Sequence, residues 1–174
     1  MRFIEHDFKG LSHLFVDSTG PTNSPVLLCG ESPGVDEDEA GKCFVGRSGQ
    51  ELDRFYLPIA GLRRHEIRVT NLIPVHPYGN RDPTTEEIHF FEEYLLQEIH
   101  DTKPQIIAPL GAFATKYFLG WTADLHTMHG LPHHSDKFNC TIIPCYHPAA
   151  GLYKTDTQPL IVYDFQQLAL AIQG

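Results

Sequence analysis

Short apolar runs alternating with longer amphipathic stretches constrain this chain more than any other feature. Residues 25–29, 67–73, 104–110 and 139–145 are each too short for a helix of ordinary length; the first is apolar throughout, and the other three are rich in apolar residues. That is the pattern of strands buried on both faces. Between them, residues 47–60 place Leu52, Phe55, Tyr56 and Ile59 at helical spacing, and Gly61 follows as a stop. A second helix begins at Thr84 or Thr85, with Glu86 and Glu87 in its first turn and Ile88, Phe91, Leu95 and Ile99 on one face. Residues 111–119 and 157–172 supply two more. Strands that alternate with helices pair in parallel through right-handed crossovers. The expectation is an α/β fold, a three-layer α/β/α sandwich around a central four-stranded parallel sheet.

With 174 residues, 41% of them hydrophobic, the chain suits one domain spanning 1–174, residues 1–24 forming a less regular lead-in. Four cysteines, at 29, 43, 140 and 145, lack the close pairing of a zinc ribbon and read as reduced, packed thiols. No segment resembles a secretory leader or reaches the length of a membrane span, so an intracellular, cytoplasmic location without membrane contact is expected. The formal net charge of -9 excludes a broad nonspecific polyanion binder. Any nucleic-acid surface has to be local, drawn from Lys42, Arg47, Arg63, Arg64, Arg81 and Lys154, which otherwise read as scattered solvated charges.

Ligands of such sheets bind beyond the carboxyl ends of the strands, which directs attention to loops beginning at Gly30, Asn71, Gly111 and Tyr146. The first reads Gly30-Glu31-Ser32-Pro33-Gly34 and continues through Lys42, Phe44, Arg47 and Ser48 to Gly49. Its glycines permit close approach of backbone to ligand, and Ser48 stands where a helix N-terminus can meet an anion. The spacing fits neither the dinucleotide nor the P-loop fingerprint. Phe44, an aromatic in a polar loop, either stacks on a flat ligand or plugs the core below. Asn71 either reads the edge of a base or caps backbone. His147 is a candidate acid, base or oxyanion donor, against a purely structural role among 11 histidines.

Taken in order, Gly30-Glu-Ser-Pro-Gly, Gly41-Lys-Cys-Phe-Val-Gly-Arg-Ser-Gly-Gln-Glu-Leu, Thr70-Asn-Leu-Ile, Tyr78-Gly-Asn-Arg, Pro109-Leu-Gly-Ala and His147-Pro-Ala-Ala resemble the uracil-DNA glycosylase superfamily. The series is most similar to its family four branch. The resemblance implies hydrolysis of the N-glycosidic bond of a flipped-out uracil in DNA. It implies that Phe44 stacks on the base, Asn71 bonds its polar edge and His147 stabilises charge on its carbonyl oxygen, with Gly30, Ser32 and Gly34 shaping the pocket. Ser32 stands where the best-known branch has an acid, so Glu31 is the expected water-orienting residue, with Asp36, Glu37 and Asp38 as alternatives. Gly34 follows the motif proline and supplies no bulk against a thymine methyl. Lys42, Arg47, Ser48, Arg81 and Lys154 are expected along the DNA, with Leu152 or Tyr153 as a wedge in the base stack. For Leu152 a core contact is the alternative.

Family four members carry an iron–sulfur cluster on four cysteines. Here the lead-in lacks the Cys-x-x-Cys pair, and the third and fourth positions match Val75 and Phe91. No cluster, and no other cofactor or metal, is expected. Besides a monomeric glycosylase for uracil, two further functions fit the residues: a noncatalytic binder of damaged or single-stranded DNA, and a glycosylase for other deaminated bases.

Overall fold

The computed structural model describes residues 2–174. The lead-in forms a small hairpin, β1 (Arg2–Phe3) antiparallel to β2 (Leu14–Phe15). The main sheet begins with β3 (Val26–Gly30), whose residues are all buried. Its side chains alternate between the two faces of the sheet, as the pleat requires. Val26 and Leu28 join one apolar cluster, Leu27 and Cys29 the other.

A short helix α1 (Val35–Ala40) follows within the acidic loop. Next comes a continuous helical stretch, 47–59, made of α2 (Arg47–Glu51), a π-helical turn (Leu52–Tyr56) and α3 (Leu57–Ile59). The π turn corrects the simple helical reading of this segment. One extra residue in the turn shifts the phase of the buried face, so Leu52, Tyr56 and Leu57 are buried while Phe55 is turned out.

Strand β4 (Arg68–Asn71) leads to α4 (Thr85–Thr102), whose start is set by Thr84. The Thr84 hydroxyl accepts from the Glu87 N–H at 3.1 Å, and the Thr84 N–H donates to Glu87 Oε1 at 2.8 Å. This reciprocal cap satisfies two otherwise unpaired donors. Arg81 completes it with two 2.8 Å bonds to the same carboxylate. Strand β5 (Ile106–Pro109) is followed by α5 (Ala112–Leu119) and the single turn α6 (Leu125–Met128).

The sheet has five strands rather than four. An edge strand, β6 (His133–Ser135), pairs antiparallel with β7 (Cys140–Ile142), and the strand order is β4-β3-β5-β7-β6. The other pairings are parallel. Three polar residues at a sheet margin carry no alternating hydrophobic signal, because an edge strand is not required to bury a face. The chain ends with α7 (Pro148–Tyr153) and α8 (Gln158–Gln173).

The stretch 47–59 and α8 cover one face of the sheet, and α4 with α5 covers the other, which gives the expected three layers. Among the described residues no helix is long and apolar enough to cross a membrane.

Candidate active site

Register brings the motif loops to one edge. Gly30 pairs with Asn71, the Leu110 N–H bonds the Cys29 carbonyl, and the Gly111 N–H bonds the Cys145 carbonyl at 2.8 Å. The loops after β3, β4, β5 and β7 therefore open on the same side. They enclose a cavity of about 390 Å³. Its wall includes Ser32, Gly34, Phe44, Arg47, Ser48, Asn71, Asn80, His147, Leu152 and Tyr153.

Phe44 has a positive φ of 54°, a conformation that costs a bulky residue about 1–3 kcal/mol and persists only when neighbours enforce it. It is 6% exposed. Its ring packs over Gly30, where an added Cβ would stand 2.8 Å from Cζ, and faces the His147 ring at 5.4 Å with 27° between planes. Gly49 presses on its carbonyl, since a Cβ there would lie 1.9 Å from the oxygen. The ring caps the core from above and also forms part of the cavity wall.

Asn71 is also nearly buried at 7% exposure. Its Nδ2 donates to the Cys43 sulfur at 3.5 Å, and Oδ1 lies over Gly30, leaving no room for a Cβ. The carbonyl oxygen and the second N–H remain to meet a ligand edge that offers one donor and one acceptor.

His147 caps the N-terminus of α7. Its Nδ1 accepts from the Ala149 N–H at 3.0 Å, which assigns the proton to Nε2. Burial pushes its pKa down to about 4, so the ring is neutral at physiological pH. A neutral imidazole with Nε2–H is a donor. The strand end before it is anchored by Asp164 of α8, fully buried, which accepts from the Tyr146 N–H at 2.8 Å while its other oxygen meets His129. Asp164 escaped the sequence reading; the signal for it was a carboxylate on the apolar face of an amphipathic helix.

Glu31, the expected water-orienting residue, is half-buried beside the cavity. The wall begins at Ser32, and Glu31 stands one residue behind it. Burial, then a hydrogen bond with Asp82 and the charge of Asp82, raise its pKa to about 8. Glu37 instead ties the loops together, accepting from the N–H groups of Gly34, Val45 and Gly46 at 3.1, 2.9 and 2.6 Å. A Cβ on Gly34 would stand 2.7 Å from Glu37 Oε1. Two further residues were not singled out from sequence. His76, buried, donates from Nδ1 to the Pro33 carbonyl at 2.8 Å, and Asn80 reaches the wall from a turn with a positive φ of 55°. The Pro, Gly and Asn content of 74–83 marks a turn without telling which residue faces a ligand.

The cations divide. Arg47 lines the mouth beside Ser48, and Lys154 follows the 87%-exposed Tyr153. Lys42 is exposed on the loop between α1 and α2. Arg81 is held by Glu87 and also bonds the Lys9 carbonyl at 3.2 Å, so its guanidinium is committed within the chain. Arg64 is turned inward onto the carbonyls of Cys43 and Phe44. Leu152 is half-buried and the neighbouring Tyr153 is free, so Tyr153 is the more available wedge.

The residues present do not fit a four-cysteine iron–sulfur cluster. Val75 and Phe91, at the third and fourth matching positions, are fully buried in one apolar cluster with Leu11, and Phe8 packs against it. His6 sets its ring edge-on to Phe91 at 5.8 Å. The four cysteines are buried and unbridged. Burial pushes all four thiols up, Cys140 to about 11, away from the thiolate that iron requires. Among the described residues no group of three or more His, Cys, Asp or Glu side chains could hold a metal ion.

A three-layer α/β/α sandwich with an aromatic, an amide and a neutral histidine around one pocket defines a protein built to enclose a small planar ligand. The profile of the Uracil DNA glycosylase superfamily matches residues 18–168. Type-4 uracil-DNA glycosylase of Saccharolobus solfataricus is 32% identical over 165 residues, covering 91% of this chain and 76% of the relative. That of Archaeoglobus fulgidus is 32% identical over 161 residues, covering 88% and 80%. That of Pyrobaculum aerophilum is 35% identical over 166 residues, covering 91% and 82%. The chain belongs to the uracil-DNA glycosylase superfamily.

Proposed function

We propose that this chain, one domain acting as a monomer inside the cell, is a DNA repair glycosylase that hydrolyses the N-glycosidic bond of uracil in DNA. The observation that carries this reading is the neutral His147 with its proton on Nε2, beside Phe44 and Asn71 in one pocket. A base inside a duplex is out of reach, so it is extruded into such a pocket and read by stacking and edge hydrogen bonds. Phe44 supplies the face. Asn71 supplies one acceptor and one donor, matching the N3–H and O4 of uracil and mismatching cytosine.

When the bond between N1 and the sugar carbon breaks, the electron pair leaves with the base and cationic character grows on the sugar. His147 Nε2–H donates to the base oxygen that gains charge, a preorganised interaction worth several kcal/mol. Water adds to the sugar carbon and loses a proton, leaving an abasic site. Arg47, Ser48, Lys42 and Lys154 are the groups available to phosphates around the mouth, and Tyr153, with Leu152 beneath it, fills the space left in the stack. Arg81 is left out of this contact set because Glu87 holds it.

Release of free base from oligonucleotides carrying uracil, a thymine mismatch, hypoxanthine or xanthine, in single strands and duplexes, tests the assignment. Uracil release is the expected result. Binding without release from any of them would identify a noncatalytic binder. Release of the other bases as well would identify a glycosylase for deaminated bases in general.

If Glu31 orients the water, it does so as a carboxylate, and its pKa near 8 then gives the rate an ascending limb. The logarithm of kcat rises with unit slope below about pH 8 and levels above it, and Glu31→Gln removes the limb. A flat profile from pH 6 to 9 in the unaltered protein takes Glu31 out of the water's path.

The apolar packing of Val75 and Phe91 supports a domain held without a cluster. Protein purified without oxygen is expected to contain substoichiometric iron and no thiolate-to-iron absorbance. One cluster's worth of iron per chain overturns this.

A further inference from the structure

Arg64 does not line the cavity but bonds the backbone of a residue that does. Arg64, in the turn before β4, donates from Nη2 to the Phe44 carbonyl and from Nη1 to the Cys43 carbonyl at 3.3 Å, with a longer contact to Thr19 Oγ1 at 3.4 Å. Its Nε donates to Asp53 Oδ1 at 2.8 Å. Asp53 sits within the π-helical turn, so the irregular part of the 47–59 stretch fixes the guanidinium from behind. Two consecutive carbonyls are thus gripped by one rigid planar fork, a geometry that lysine cannot reproduce.

Those two carbonyls belong to the residues that build the base-reading surface. Cys43 places its sulfur against the Asn71 amide, and Phe44 carries the positive φ that turns its ring over Gly30 and toward His147. A phenylalanine relaxes from that conformation unless something holds it. Gly49 limits where its carbonyl can lie from one side, and Arg64 binds it from another. A positive charge on an acidic protein would ordinarily face solvent or DNA; this one is directed at backbone instead.

We propose that Arg64, anchored by Asp53, is a positioning residue for base recognition: it locks the Cys43 and Phe44 carbonyls and so presets the Phe44 platform and the Asn71 amide before a base arrives. The proposal rests on the reading of Phe44 as the stacking platform. In the free protein the platform is already formed, so little reorganisation accompanies binding. Loosening it leaves the phosphate contacts intact and affects only the step in which the base is gripped.

The test compares Arg64→Gln, Arg64→Lys, Asp53→Asn and Phe44→Leu, with active-site concentration fixed by single-turnover burst. The substrate is a single-stranded oligonucleotide containing uracil. Arg64→Gln is expected to lower the single-turnover rate about 10- to 100-fold, the scale of a misplaced binding group, and to weaken inhibition by free uracil in parallel. Affinity for the same oligonucleotide with thymine in place of uracil stays unchanged. Arg64→Lys and Asp53→Asn show the same pattern in smaller degree, and Asp53→Asn decides the matter if Arg64→Gln does not fold. In the Phe44→Leu background, Arg64→Gln adds less than its own effect, as coupled residues do. Normal rate and uracil inhibition per active site in Arg64→Gln, or in Asp53→Asn if that variant has to decide, overturn the proposal. So does full additivity with Phe44→Leu. If Phe44→Leu itself changes neither rate nor uracil inhibition, the platform reading fails, and the proposal with it.

Discussion

His147→Ala lowers kcat for uracil release by about 10²–10³-fold, the usual loss when a preorganised donor to a developing oxyanion is removed, while affinity for the DNA changes little. The truncation also removes the acceptor for the Ala149 N–H at the start of α7, which costs about 1 kcal/mol of stability. His147→Asn separates the two effects. A shorter amide still caps the helix but cannot bring a donor to where Nε2–H stood, so stability recovers and the rate does not. Equal recovery of both would remove the donor role.

The protonation of His147 gives an independent check. Its folded pKa, about 4, lies below the ordinary value of 6.5. The folded form thus holds fewer protons than the unfolded one between those values. Its contribution to stability is complete above about pH 6.5 and is lost as pH falls toward 4. Nitrogen shifts of the imidazole should report a neutral Nε2–H ring at pH 7 and a midpoint near 4. A midpoint near 6.5 would mean an exposed, unconstrained ring.

Asn71→Ala is the second large effect expected, a fall in kcat/KM of about 10²–10³-fold for two buried hydrogen bonds at about 1.5–2 kcal/mol each. Inhibition by free uracil weakens by a similar factor, and binding to an abasic product strand is unchanged. Gly30, which must lack a Cβ to admit the amide, and Cys43, which accepts one of its N–H bonds, keep Asn71 in a single orientation. An undiminished kcat/KM would show that the amide serves backbone structure alone.

The apolar runs at 25–29, 67–73, 104–110 and 139–145 were sufficient to place β3, β4, β5 and β7, because strands buried on both faces leave a composition that few other structures share. The Thr84 cap of α4 was equally legible, since capping is local chemistry. The edge strand β6 and the π turn at Leu52–Tyr56 were not. One buries too little to leave a pattern, and the other changes helical phase through a backbone irregularity that no side-chain period announces. Asn71 and His147 were legible as residue types at strand ends, and Phe44 as an aromatic in the polar loop after the first buried strand.

Their use was a tertiary matter. The sequence by itself determined that the loops after the buried strands, carrying Phe44, Asn71 and His147, would open at one sheet edge. The folded chain alone decided which nitrogen of His147 carries the proton and that Glu31 lies behind the wall against Asp82. It also decided that Arg81 is spent on Glu87 and that Arg64 faces Phe44 instead of DNA. The first and third are settled by local capping partners, and the other two by burial and hydrogen bonds between segments that the fold brings together.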